Sequence, residues 1–146
     1  MNRDTLKALV KKHEGLRLKP YRDSVGKLTI GYGRNLEDVG ISEAEAEYLL
    51  DNDIARAVRD CRGFPWFNDL SDARQNVVAS MVFNMGVSKF SQFRRFILAI
   101  ESEQWEAAAN EMLSSKWAGQ VGRRAVELSN IMATDAEPPL QGPLDS

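Results

Sequence analysis

Three side chains between Glu14 and Gly33 carry residue types that can do chemistry together: Glu14, Asp23 and Thr29. They stand in the stretch EGLRLKPYRDSVGKLTIGYG, with eight residues between the two acids and five between Asp23 and Thr29. One carboxyl can donate a proton while the other, helped by a hydroxyl, activates water. That division of labour suits acid-assisted hydrolysis of a glycosidic bond.

A helix end followed by a hairpin would bring the three to one place. Asp4 is placed to cap a helix ending near Glu14, with Leu6, Leu9, Val10 and His13 on one face. Gly15 then suits a left-handed helix end. At the helix C-terminus the macrodipole disfavours negative charge and would help keep Glu14 protonated, as a general acid requires. His13 reads as a packed or surface helix residue rather than a proton carrier. Leu16 to Arg22 alternates and should be extended, with Pro20 suited to an edge strand. Asp23-Ser-Val-Gly26 carries turn chemistry, and Lys27 to Gly33 reads as the returning strand. Thr29, Gly31 and Gly33 would share one face, open enough for a bulky ligand to lie near the backbone.

The rest of the chain reads as helical. Ser42-Glu-Ala-Glu45 is a capping box that opens a helix to about Asp60, with Leu50, Ile54, Val58 and Cys61 as its apolar stripe. Residues 62–70 connect with Pro65 and three aromatics. Trp66 there reads as packing, with exposed sugar stacking as the alternative. Ser71 or Asp72 caps a central helix to about Met85, with Val77, Val78, Met81, Val82 and Met85 inward and Gly86 as its end. Helices follow at about Gln92–Ile100, Trp105–Leu113 and Arg123–Met132, with one further turn at Lys116-Trp117. The tail from Ala133, with three prolines and little to bury, should be extended or disordered.

Bulk properties narrow the class. A chain of 146 residues, 43% hydrophobic and 27% charged, is long enough for one domain with a core. No apolar run approaches the roughly 20 residues of a membrane span, and the charged first residues lack the apolar stretch of a secretory signal. One cysteine, Cys61, and one histidine, His13, exclude an internal disulfide and multi-cysteine metal sites. The net charge of −2 hides an asymmetry: residues 1–36 hold nine Lys/Arg against three Asp/Glu, and residues 37–60 hold two against eight. A positive rim around the candidate site would attract an anionic polymer. The alternative is a surface whose charges balance locally. The low pI and the lack of an aromatic-basic motif argue against nucleic acid.

The pattern E-x8-D-x5-T, in the form HEGLRLKPYRD and LTIGYG, resembles the phage-type lysozymes, the muramidase family whose best-known member is the T-even phage endolysin. Met81-Val-Phe-Asn-Met-Gly86, Trp105-Glu-Ala-Ala108, Ser115-Lys-Trp117 and Arg124-Ala125 extend the likeness over about residues 4–132.

The resemblance implies an α+β, mostly helical, two-lobed fold. A small hairpin lobe, about 15–60, would be joined by a long helix to a helical lobe of about 61–132 plus helix 4–14. Residues 133–146 would form a tail outside this single domain. It implies cleavage of the β-1,4 bond between N-acetylmuramic acid and N-acetylglucosamine in bacterial peptidoglycan. Glu14 would be the general acid, and Asp23 and Thr29 would hold or activate the water. Inversion would follow, with carboxyls about 6.5–9.5 Å apart. Tyr32, Phe83, Asn84 and Arg124 are carried over as substrate-binding positions, Arg124 matching an Arg that the family places near the catalytic Glu. Arg34 stands where the T-even enzyme has a His in a structural ion pair. No metal or organic cofactor is implied. The expected setting is a phage endolysin: a monomer without membrane insertion, held in the host cytoplasm and reaching the wall through a holin. The alternatives are a lytic transglycosylase giving 1,6-anhydro products and a non-catalytic wall-binding module.

Overall fold

The structure, a computed structural model, describes residues 1–137. It is α+β and mostly helical, with eight α-helices and one three-stranded antiparallel sheet among the described residues. By internal contacts the chain divides into two compact units, Met1–Leu49 and Leu50–Ser146.

In the first unit, helix α1 spans Arg3–Glu14. Its N-cap is Asn2, whose side chain accepts from Thr5 N at 3.1 Å, so Asp4 lies in the first turn and is not the cap as expected. Gly15 ends α1 with φ +72, and its N–H donates to Lys11 O. Its ψ of 164 lies outside the left-handed helical region and turns the chain straight into the sheet.

Strand β1 (Arg17–Arg22) pairs with β2 (Leu28–Gly31), which pairs with β3 (Arg34–Asn35), in the order β1-β2-β3. The β1–β2 register is irregular between Arg17 and Tyr21, the segment that holds Pro20. Proline has no N–H to give the ladder, and this edge irregularity asks for none. The returning strand stops at Gly31, two residues short of its expected end. Gly31 (φ +71) and Gly33 (φ +80) turn the chain there into the unforeseen β3. Within residues 1–49 only Thr29, at 3% exposure, is buried.

The capping box forms in both directions: Glu45 N donates to Ser42 Oγ at 3.1 Å, and Ser42 N to Glu45 Oε1 at 2.9 Å. It opens α2 (Glu43–Cys61). Only the last part of the expected stripe is covered. Ala57 and Cys61 are buried, whereas Leu50 and Ile54 are exposed. Burial, with Asp60 adding to it, pushes the Cys61 thiol up to about 11.

The second unit holds the hydrophobic core. Its centre is α3 (Asp72–Met85), capped by Ser71 and ended by Gly86, with Val77, Val78 and Met81 fully buried. Around it stand α4 (Val87–Phe90), α5 (Arg94–Glu101), α6 (Trp105–Leu113), α7 (Lys116–Val121) and α8 (Arg123–Thr134). Helix α4 was not expected, and α5 begins two residues later than the pattern suggested. Phe90 meets Phe96 edge to face at 6.0 Å, and Trp66 stacks on Phe64 at 5.0 Å. Packing is therefore what Trp66 does here. Arg74, 9% exposed, ties α3 to α8: its Nε donates to Met132 O at 2.9 Å, and its guanidinium lies 4.0 Å from the Trp105 ring centroid. Of the expected tail, Ala133 and Thr134 belong to α8, and 138–146 lie outside the described residues. No helix among the described residues is long and apolar enough to cross a membrane.

Candidate active site

Glu14, Asp23, Thr29 and Tyr32 belong to the first unit, and Phe83, Asn84 and Arg124 to the second. Asp23 follows β1 and opens the turn. Its Oδ1 accepts from Val25 N at 3.0 Å and Lys27 N at 2.8 Å, and Gly26 N donates to its backbone carbonyl. Its other oxygen, Oδ2, has no protein donor among the described hydrogen bonds.

Thr29 sits on the central strand β2, opposite Tyr21 on one side and Asn35 on the other. Its Oγ1 donates to Lys27 O at 2.8 Å. A hydroxyl has one proton, so Oγ1 can offer a further partner only a lone pair. The two side chains are thus brought together by the backbone of one residue: Lys27 gives its N–H to Asp23 and takes the hydroxyl of Thr29.

Glu14 is the last residue of α1 and is exposed. Its carboxyl lies against Gly33, where a β-carbon would stand 2.8 Å from Glu14 Oε2. Tyr32, next to Gly33, is 40% exposed, with Lys11 Nζ 5.2 Å from its ring centroid. A concavity of about 1010 Å³ opens over Ile30, Tyr32, Gly33, Leu36, Tyr48 and Leu49; neither acid lines it. Glu14 is exposed and Asp23 half-buried.

The hairpin is braced by groups that sequence reasoning missed. Glu37 Oε1 accepts from Arg22 at 2.6 Å and from Leu28 N at 3.0 Å. Lys27 pairs with Asp38 at 3.3 Å, and Arg34 pairs with Glu45. Each pair joins the basic block 1–36 to the acidic block after it, so charge balances locally at three of the nine basic residues. The alternating signs of the two blocks were the available signal. Which cation meets which anion depends on β3.

In the second unit, Phe83 is 46% exposed, and Arg124 is exposed near the start of α8. Asn84 does something the sequence did not reveal: its Oδ1 accepts from Trp117 Nε1 at 2.9 Å, linking α3 to α7. No group of three or more His, Cys, Asp or Glu side chains among the described residues is arranged to hold a metal ion.

The sequence profile of the phage lysozyme family matches residues 11–130. A probable T4-type lysozyme of Dictyostelium discoideum is 28% identical over 89% of this chain and 94% of its own length. A SAR-endolysin of bacteriophage PS34 is 30% identical over 78% of this chain and 73% of its own. An endolysin of Acyrthosiphon pisum secondary endosymbiont phage 1 is 37% identical over 57% of this chain and 58% of its own.

Proposed function

Because the chain belongs to the phage lysozyme family of glycoside hydrolases, we propose that it is an endolysin of the muramidase type. It hydrolyses the β-1,4 bond between N-acetylmuramic acid and N-acetylglucosamine in bacterial peptidoglycan, with inversion. One observation carries this reading: the way Lys27 disposes Asp23 and Thr29. With Oδ1 taken by two N–H groups and the Thr29 proton given to a carbonyl, Asp23 Oδ2 and Thr29 Oγ1 are both left as acceptors. A water held between two acceptors directs both its protons at them and its lone pair away, which is the orientation of an attacking nucleophile. Glu14 supplies the proton to the departing sugar oxygen, and attack from the far face inverts the anomeric carbon.

In the second unit, the exposed Phe83 ring suits a sugar face and Arg124 an anionic group on the glycan. Asn84 keeps its amide N–H groups for substrate while Oδ1 serves Trp117. The protein works as a monomer, without cofactor or membrane insertion. It stays in the host cytoplasm until a holin opens the way to the wall. Normal timing of lysis in a host lacking any holin would remove that last step.

The test is turbidity loss of outer-membrane-stripped cells, with wild type and Glu14→Gln, followed by anomeric analysis and mass spectrometry of the products. Glu14→Gln should retain the fold and lose about 10²–10⁴-fold in rate. Undiminished lysis by that variant would remove Glu14 from the mechanism. Products lighter by one water would replace hydrolysis with transglycosylation, and binding without reducing ends would make the protein a wall-binding module.

A further inference from the structure

Seven described glycines have positive φ: Gly15, Gly26, Gly31, Gly33, Gly40, Gly86 and Gly122. At six of them an added β-carbon would meet nothing closer than 4.0 Å, so backbone conformation alone accounts for the residue. Gly33 differs. A β-carbon there would stand 2.8 Å from Glu14 Oε2, 3.1 Å from its Cδ and 3.5 Å from its Cγ. The far half of the Glu14 side chain lies along the bare side of this α-carbon. None of the described hydrogen bonds or ion pairs holds the Glu14 carboxyl. An exposed glutamate with three rotatable bonds otherwise samples many positions, and a proton donor that wanders is a poor one.

We infer that Gly33 is a positioning residue for Glu14, its missing side chain forming the seat that sets where the acid's carboxyl rests. The inference rests on Glu14 being the proton donor. Gly33 follows β2 by two residues, so the seat ties the end of α1 to the strand that carries Thr29. Any L-residue at 33 would push the carboxyl off this surface, and a shift of about 1 Å is enough to cost on the order of 10²-fold in rate.

The experiment compares Gly33→Ala with Gly40→Ala on a soluble peptidoglycan oligomer. Gly40 has φ +66 and its nearest neighbour, Leu36 O, at 4.0 Å, so Gly40→Ala carries similar backbone strain without touching Glu14. Both variants should lose similar thermal stability. Gly33→Ala should lose about 10²-fold in kcat with KM within about twofold, and Gly40→Ala should keep kcat within about twofold. Glu14→Asp should cost less in the Gly33→Ala background than in wild type, because the methyl has already displaced the longer side chain. A Gly33→Ala enzyme with wild-type kcat, or strictly additive effects, would overturn the seat. Should Gly33→Ala not fold, NMR of the wild type decides: one Glu14 rotamer with contacts to the Gly33 α-protons supports the seat, and rotamer averaging overturns it. An inactive Glu14→Gln beside a fully active Gly33→Ala removes the seat alone, whereas an active Glu14→Gln removes the donor.

Discussion

Arg34 grips Glu45 at two points, Nη1 to Oε1 and Nη2 to Oε2, each at 2.8 Å. The same Nη1 reaches Gly40 O at 3.1 Å, and the same Oε1 accepts from Ser42 N. One ion pair thus fixes β3, the loop after it and the start of α2. The Arg34 hydrogen bond, then the Ser42 N–H, holds the Glu45 carboxyl at about 2, well below its ordinary 4.5. A depressed folded pKa adds stability that is fully present above the unfolded value and is lost as pH falls through the folded one. Wild type should therefore lose stability between about pH 4.5 and pH 2. Glu45→Gln should be less stable at pH 6 and show less of this acid loss. Urea midpoints for the two proteins across that range check it, and parallel curves would remove Glu45 from the account.

Asparagine at 23 separates scaffold from chemistry. Asp23→Asn keeps a carbonyl that can accept from Val25 N and Lys27 N, so the turn should persist. What it loses is the charge proposed to draw a proton from water, with an expected rate loss of about 10²–10⁴-fold. Asp23→Ala should lose both the rate and part of the hairpin's hydrogen-exchange protection. Equal protection in the two variants would deny Oδ1 its structural part.

Thr29 offers a similar dissection in a buried position. Thr29→Ser keeps the donor to Lys27 O and should retain most activity. Thr29→Val keeps the shape, removes one of the two donors to that carbonyl while Asp23 N still donates to it at 2.9 Å, and should cost about 1 kcal/mol in stability. It also removes an acceptor for the nucleophilic water, and the rate should fall on the order of 10²-fold. A valine variant as active as the serine one would exclude the hydroxyl from catalysis.

Asn84 is expected to matter for stability before it matters for substrate. Trp117 is 5% exposed, and Asn84→Leu would leave its indole N–H without an acceptor. The cost should be about 1–3 kcal/mol, read as a lower thermal midpoint. An unchanged midpoint would mean that the indole finds another partner.

The elements with long or reciprocal signals were the ones legible in the sequence. The boundaries of α6 agree with its apolar spacing, and the Ser42–Glu45 box appears with both of its hydrogen bonds. Asn2 and Asp4 are both good capping residues two positions apart, and the choice between them turns on where the chain enters the helix. Strand β3 has two residues and α4 has four, too few to display a period. At the site, the residue types of Glu14, Asp23 and Thr29 could be read directly. Their supports could not: Lys27 acts through its backbone, and Gly33 acts through what it lacks. Arg34's partner lies 11 residues on, across a loop whose path depends on β3.

Thr29 as the single fully buried residue among the first 49 has a thermodynamic corollary. Melting that part of the chain releases half-covered apolar side chains but none of the fully buried ones, so it should add less per residue to the heat-capacity step than the core after residue 50. The acids proposed for catalysis would then sit on the portion with the fewest fully buried residues, and activity should fade on warming before calorimetry registers its main peak.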